Sequence, residues 1–160
     1  MCKVSCKWQQ QEYGFTMIEL VLSVVVVTLV MTMMVPAALN LLDKAKKQTA
    51  STDLYDIQEK IDAFQRDNDR YPNDLGEVYP EGIPEDPWGN PYQYLDLTDK
   101  KNIKGKQRKY KGKNSINSDY DLYSMGPDGE SVPPLTGQSS RDDIIRAYNG
   151  RFIGAVLDYR

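Results

Sequence analysis

EYGFTMIELVLSVVVVTLVMTMMVP, Glu12 to Pro36, decides the fold. From Met17 to Val35 it is apolar apart from Glu19 and a few hydroxyl residues. That is about the twenty residues a helix needs to cross roughly 30 Å of hydrocarbon. Ser23, Thr28 and Thr32 do not interrupt such a helix, because a helical hydroxyl can bond back to its own backbone. The run is rich in valine, yet a bilayer forces each segment to satisfy its own backbone, which selects helix over an isolated strand. Lys3 and Lys7 precede it, and positive charge on that side predicts a cytoplasmic N-terminus and an exported C-terminal part. The anomaly is Glu19. An ionised carboxylate inside a bilayer costs about 2.5–3.5 kcal/mol on insertion scales, and its place near the helix N-terminus relieves only part of that. No Lys or Arg lies between Tyr13 and Leu42. A free α-amino group would serve as partner if the chain were cut just before the apolar run.

Other readings of the run account for less. A secretory signal peptide would place a small-residue cleavage site after an apolar core of about 7–15 residues; here Ala37 and Ala38 follow a longer one. Lipidation at Cys2 or Cys6 is disfavoured because neither cysteine follows an apolar segment. A plain single-pass anchor explains the hydropathy but not Glu19 or Gly14.

The segment after the run continues as a helix of different character. Ala50, Leu54, Ile57, Ile61 and Phe64 recur at spacings of four, three, four and three, one apolar stripe with Lys, Glu and Asp around it. The spacing predicts one helix from Phe15 to about Asp67, ended by NDRYPND, where Pro72 disfavours a helical Tyr71. Beyond it Pro84, Pro87, Gly89 and Pro91 break any helix, and Tyr92–Leu97 alternates as a strand does. QRKYKG and DYDLYSM are two further strand candidates. The expected fold is α+β: a long N-terminal helix, half membrane-spanning and half amphipathic, whose stripe packs on a small antiparallel sheet of three strands with long loops.

Composition narrows the chemistry. The 160 residues carry a net charge of −3 and no histidine, and both cysteines precede Gly14, so zinc and haem sites lack their usual ligands. There is no GxSxG, no P-loop and no nucleophile–base pair using histidine or cysteine. The chain reads as a structural, self-assembling protein and not an enzyme.

GFTMIEL, Gly14 to Leu20, resembles the processing signal of type IV pilins and type II secretion pseudopilins. The resemblance implies cleavage between Gly14 and Phe15 by a prepilin peptidase, then N-methylation of Phe15. Glu19 becomes the fifth residue of the mature chain and pairs with the N-terminal amine of a neighbouring subunit during assembly. Pro36 stands where family members commonly carry a proline, which permits a bend or local melting. The implied segments are a cleaved leader (1–14), a transmembrane and filament-core helix (15–42) and a periplasmic pilin-like head (43–160). PEDPWGNPYQY (Pro84–Tyr94), YDLYSMGPDG (Tyr120–Gly129) and RDNDRYP (Arg66–Pro72) are similar to segments of the type II secretion major pseudopilin. That resemblance implies a short periplasmic filament, anchored in the bacterial inner membrane, that drives export of folded proteins. The implied partners are further copies of the chain, minor pseudopilins, the inner-membrane assembly platform, the peptidase and the membrane. The alternative is a surface type IV pilus subunit, for adhesion, motility or DNA uptake.

The resemblance also implies calcium in the C-terminal loop, which wants six to eight oxygens. Carried over, the Met125 carbonyl and the carboxylates of Asp128, Asp142 and Asp143 would supply them. The same residues admit a plainer reading. GPDG is an ordinary turn signal, and SSRDDI reads as a helix start with Ser140 as cap and both aspartates stabilising the dipole. Lys100, Lys101, Lys104, Lys106, Arg108, Lys109, Lys111 and Lys113 form a basic run. It reads as a solvated or subunit-contacting face in preference to a nucleic-acid surface.

Overall fold

The computed structural model describes residues 14–98, 103, 105–112 and 114–159. The expected leader lies outside the described residues except for Gly14, as do Lys100, Lys101, Lys104 and Lys113 of the basic run. The chain divides into two compact units between Leu41 and Leu42.

Helix α1 spans Met17–Asn68, 52 residues, and runs on through Pro36. Thr16 begins it: its hydroxyl oxygen accepts the Glu19 N–H at 3.2 Å, which satisfies one of the donors a helix start leaves free. Ser23, Thr28 and Thr32 donate to the carbonyls of Leu20, Val25 and Leu29 at 2.7–2.8 Å, so each hydroxyl is neutralised locally as the sequence predicts. Pro36 has no N–H, which leaves the Thr32 carbonyl without its helical donor. The described apolar side chains of this unit, among them Phe15, Ile18, Leu39 and Leu41, are exposed.

In the second unit the apolar stripe of α1 is covered. Ala50, Leu54, Ile57 and Ile61 are buried against Leu75, Tyr92, Tyr120, Leu122 and Ile144. Phe64, at the end of the stripe, is half-buried under the Arg70 guanidinium, 5.2 Å from its ring centroid. The helix stops at Asn68, Asp69 takes a left-handed φ of 51°, and the chain turns into a 3₁₀ turn at Leu75–Glu77 capped by Asp74.

The sheet has four antiparallel strands in the order β1–β4–β5–β6, with β1 at Gln93–Asp96, β4 at Tyr120–Ser124, β5 at Ile144–Ala147 and β6 at Phe152–Ala155. Tyr94 opposes Leu122, Ser124 opposes Ile144, and Ile145 opposes Gly154. Between β1 and β4, strands β2 (Lys109–Tyr110) and β3 (Asn114–Ser115) form a separate two-stranded ribbon. Three sequence expectations are corrected here. QRKYKG supplies a strand, but in the ribbon and not in the main sheet. The tail, not assigned to the sheet from sequence, supplies two of its four strands. SSRDDI does not start a helix: Gln138–Ser140 is a single 3₁₀ turn, and strand β5 follows at once. The β-branched pair Ile144 and Ile145 decides that. Both are fully buried, one on each face of the sheet, a placement that only strand alternation allows.

The second face of the sheet is covered as well. Ile145 and Ala147 pack with Ile116, Leu135, Val156 and Tyr159. Polar groups tie the sheet to α1 on the first face. Tyr92 donates to Asp53 at 2.8 Å and Tyr120 to Asp62 at 3.3 Å. Arg146 donates through Nε to Gln58 at 2.7 Å and closes a fork on Asp119 at 2.9 and 2.7 Å. Its guanidinium lies 3.9 Å from the Tyr120 ring centroid. Such a bidentate pair holds direction as well as charge.

Because the stripe is the seat of the head, Leu54→Ala should lower unfolding free energy by about 2–5 kcal/mol in denaturant titration of the detergent-solubilised chain. Tyr55→Ala, on the exposed side of the same turn, should change it by under about 0.5 kcal/mol.

Candidate functional site

Two places hold the residues singled out from sequence. The first is the start of α1. Gly14 is exposed, and a Cβ added there would meet nothing within 4 Å. Phe15 is 80% exposed. Glu19 is exposed one turn further on, with no ion-pair partner among the described residues. It lies in the first turn of α1, four residues along the chain from Phe15. The arrangement offers one unpaired carboxylate on an otherwise apolar rod.

The second place is the loop after β4, where the two segments similar to pseudopilins meet. Asp86 accepts the N–H groups of Trp88 and Asn90 at 3.0 and 2.9 Å through one oxygen, and the Ser124 hydroxyl at 2.5 Å through the other. Ser124 in turn accepts the Gly126 N–H at 3.0 Å, and Asn90 donates to the Gly126 carbonyl at 2.9 Å. DPWGN and MGPDG are thus one hydrogen-bonded unit. GPDG is a turn, as its composition predicts, with φ of 68° at Gly126 and 67° at Gly129.

Of the acids named for calcium, Asp128 and Asp143 have partners of their own. Asp128 is exposed, and its carboxylate accepts the Glu130 N–H at 2.8 Å. Asp142 folds over Gly126, whose added Cβ would stand 2.6 Å from the Asp142 carbonyl oxygen and 3.0 Å from its carboxylate. Met125 is half-buried between Ser124 and this turn. Asp143 is fully buried; its Oδ2 lies 3.4 Å from Arg108 Nη2 and accepts the Ser131 hydroxyl. Burial pushes the Asp143 carboxyl up to about 6, against the pull of Ser131 and Arg108, and the charges of Asp142 and Asp128 add to the rise. Among the described residues no three Asp, Glu, His or Cys side chains converge in a metal-holding arrangement. The residues present do not fit calcium as the resemblance implies, because a guanidinium already holds the carboxylate at the centre of the set.

Arg108 is the residue that sequence reasoning misplaced. It belongs to the basic run read as solvated, yet it is 2% exposed. The signal was present, since it is the only arginine among seven lysines there, and arginine is the cation suited to buried forks.

No family model matches the chain. It is 30% identical to Type II secretion system core protein G of Pseudomonas aeruginosa, over 76% of this chain and 88% of the relative. The chain belongs to the core protein G family. It is also 29% identical to the Type II secretion system core protein G of Vibrio cholerae, over 82% of this chain and 91% of the relative. For that of Klebsiella pneumoniae the figure is 28%, over 84% and 94%. The resemblance carried by GFTMIEL, DPWGN and GPDG is borne out. In this core protein G family member Asn90 of DPWGN donates to the Gly126 carbonyl of GPDG, and Ser124 links Asp86 to the Gly126 N–H, so the two motifs are joined directly and through Ser124.

Gly126 is the narrowest point of that unit. Gly126→Ala forces a left-handed backbone on a residue with a Cβ, at about 1–2 kcal/mol, and adds the contact with Asp142. It should lower the thermal midpoint of the chain by several degrees, on the order of 4 °C or more in differential scanning fluorimetry.

Proposed function

We propose that the chain is a structural subunit of the type II secretion pseudopilus, a short periplasmic filament that drives export of folded proteins, and that it has no catalytic role. One observation carries the reading: an apolar stretch whose described side chains are exposed from Phe15 to Leu42, with Glu19 as the only charge within it. Such a surface needs cover. In the single subunit the cover is the bilayer, which the apolar stretch is long and hydrophobic enough to cross. Lys3 and Lys7 favour a cytoplasmic N-terminus and a periplasmic head across the inner membrane. When a subunit leaves the bilayer, the cover in abundance is the same segment of other copies. Identical contacts that do not close generate an open helical filament. The helices then form the core and the heads the outside.

Glu19 fits this role better than it fits anchoring. Its charge is costly in lipid and compensated only when the amine of a neighbouring Phe15 comes alongside, so it sets the axial step of the assembly. Pro36, where one helical hydrogen bond is already lost, lets the helix adapt to the packing. The partners are then copies of the chain, minor pseudopilins, the inner-membrane assembly platform, and the prepilin peptidase that exposes and methylates the Phe15 amine.

Mass spectrometry of the membrane-bound protein should find N-methylated Phe15 as its first residue. A retained Met1, or a terminus near Ala38, would be incompatible with this reading. Glu19→Ala should enter a bilayer more easily, by about 2.5–3.5 kcal/mol, and yet join filaments poorly. Wild-type filament yield from that variant, counted by electron microscopy after overexpression, would remove the role given to the carboxylate.

A further inference from the structure

We propose that an internal arginine, Arg108, does in this chain the work that the resemblance assigns to calcium, so that the C-terminal loop is clamped without a metal. The guanidinium sits inside the loop. Its Nη1 donates to the Val132 carbonyl and its Nη2 to the Ser131 hydroxyl, with Asp143 Oδ2 at 3.4 Å from Nη2. The Ser131 hydroxyl donates onward to the same Asp143 oxygen. One cation thus gathers a loop carbonyl, a loop hydroxyl and the carboxylate that precedes strand β5. Those are the kinds of oxygen a calcium ion would gather.

The arginine is itself fixed from several sides. Its plane lies 3.5 Å from the Tyr123 ring centroid on β4, a stacked cation–π contact. Its backbone N–H donates to Asp121 at 2.7 Å, and its carbonyl accepts the Ile116 N–H at 3.1 Å. Next to it, Lys109 exchanges backbone bonds with Pro133 and Leu135 at 3.0 and 2.9 Å. The ribbon that carries Arg108 and the loop that it clamps are therefore one assembly, held by main chain as well as by charge. Among the buried side-chain polar atoms of the described residues, only Arg108 Nε and Asp143 Oδ1 lack a partner, so Asp143 has one oxygen beyond the one that the arginine and Ser131 hold.

Charge decides between the two cations. A calcium ion on Asp143 would stand within a few ångströms of a fixed guanidinium in a buried place, where like charges repel strongly. One carboxylate cannot be shared at that distance unless the arginine leaves, and its exit would break the contacts with Val132, Ser131 and Tyr123 together. Asp142 and Asp128 remain near enough to raise the negative potential, which favours holding the arginine in place.

The test uses the full chain in detergent micelles. Thermal midpoints are taken in millimolar calcium chloride and in EGTA for wild type, Arg108→Gln, Arg108→Met, Asp143→Leu and the Arg108→Met/Asp143→Leu double variant. Wild type should melt at the same temperature in both media. Arg108→Gln should melt lower in both, by on the order of 10 °C, because it strands a buried carboxylate. The double variant should lose clearly less than the sum of its two single changes. A wild-type midpoint several degrees higher in calcium overturns the proposal, and so does strict additivity in the double variant. Should Arg108→Gln fail to fold, the wild-type comparison still decides, and calcium titration calorimetry on wild type must give no saturable heat.

Discussion

A helix can be apolar toward lipid or toward its own domain, and α1 has to be both at different heights. Toward its start the apolar residues surround the helix and are exposed all round. Beyond Leu42 they shrink to the line Ala50–Leu54–Ile57–Ile61, and the rest of the surface turns charged. The sheet exists to cover that line. Tyr92, Tyr120, Leu122 and Ile144 face it, and the hydroxyls of Tyr92 and Tyr120 reach past it to Asp53 and Asp62. Each tyrosine joins apolar cover to a hydrogen bond at the border of the stripe, which is what its amphipathic ring allows.

The sheet then meets a problem of its own. Its central strands β4 and β5 are buried on both faces, yet they carry Asp121 and Arg146 and lie beside Asp143. Buried charges are tolerated only with partners. On the helix side Arg146 forks onto Asp119 and stacks on Tyr120. On the other side Arg108 reaches Asp143 and stacks on Tyr123. Tyr120 and Tyr123 point to opposite faces of one strand, so β4 carries an arginine against each face by the same device. Asn117 joins the two arrangements, donating to Asp121 at 3.0 Å and to the Arg146 carbonyl at 2.9 Å. Asp121 also caps the Arg108 N–H. These polar contacts satisfy the buried charges on both faces of the sheet.

The helix was legible because periodicity is a local property. The 4-3-4-3 spacing and NDRYPND specify its buried face and its end without reference to anything distant. The apolar run and its acid were legible for a different reason: Glu19 is the one charge in the run, and an acid there is costly wherever it occurs. The tail was not legible, since Ile144–Ala147 is too short to show alternation and its strand character comes from pairing with Tyr123 and Ser124 twenty residues earlier. SSRDDI misled for the same reason. Its local signals favour a helix start, and the burial of Ile144 and Ile145 on opposite faces overrides them. Ser140 instead exchanges hydrogen bonds with the main chain of Val132, a partner eight residues away.

Arg108 shows where sequence pattern ends and three-dimensional charge accounting begins. A metal clip and an arginine clip close the same loop but answer to different variables. The stabilisation a bound ion gives grows with its free concentration over its dissociation constant and vanishes when the ion is scarce. A guanidinium on the chain is present at a fixed local concentration. Its cost is placement: the residue must be brought in from a distant segment, which is what the β2–β3 ribbon does through the main-chain bonds of Lys109 to Pro133 and Leu135. The ribbon between β1 and β4 therefore has a physical use. It delivers a cation to the far side of the sheet, so the loop that carries GPDG is ordered by the chain's own charge.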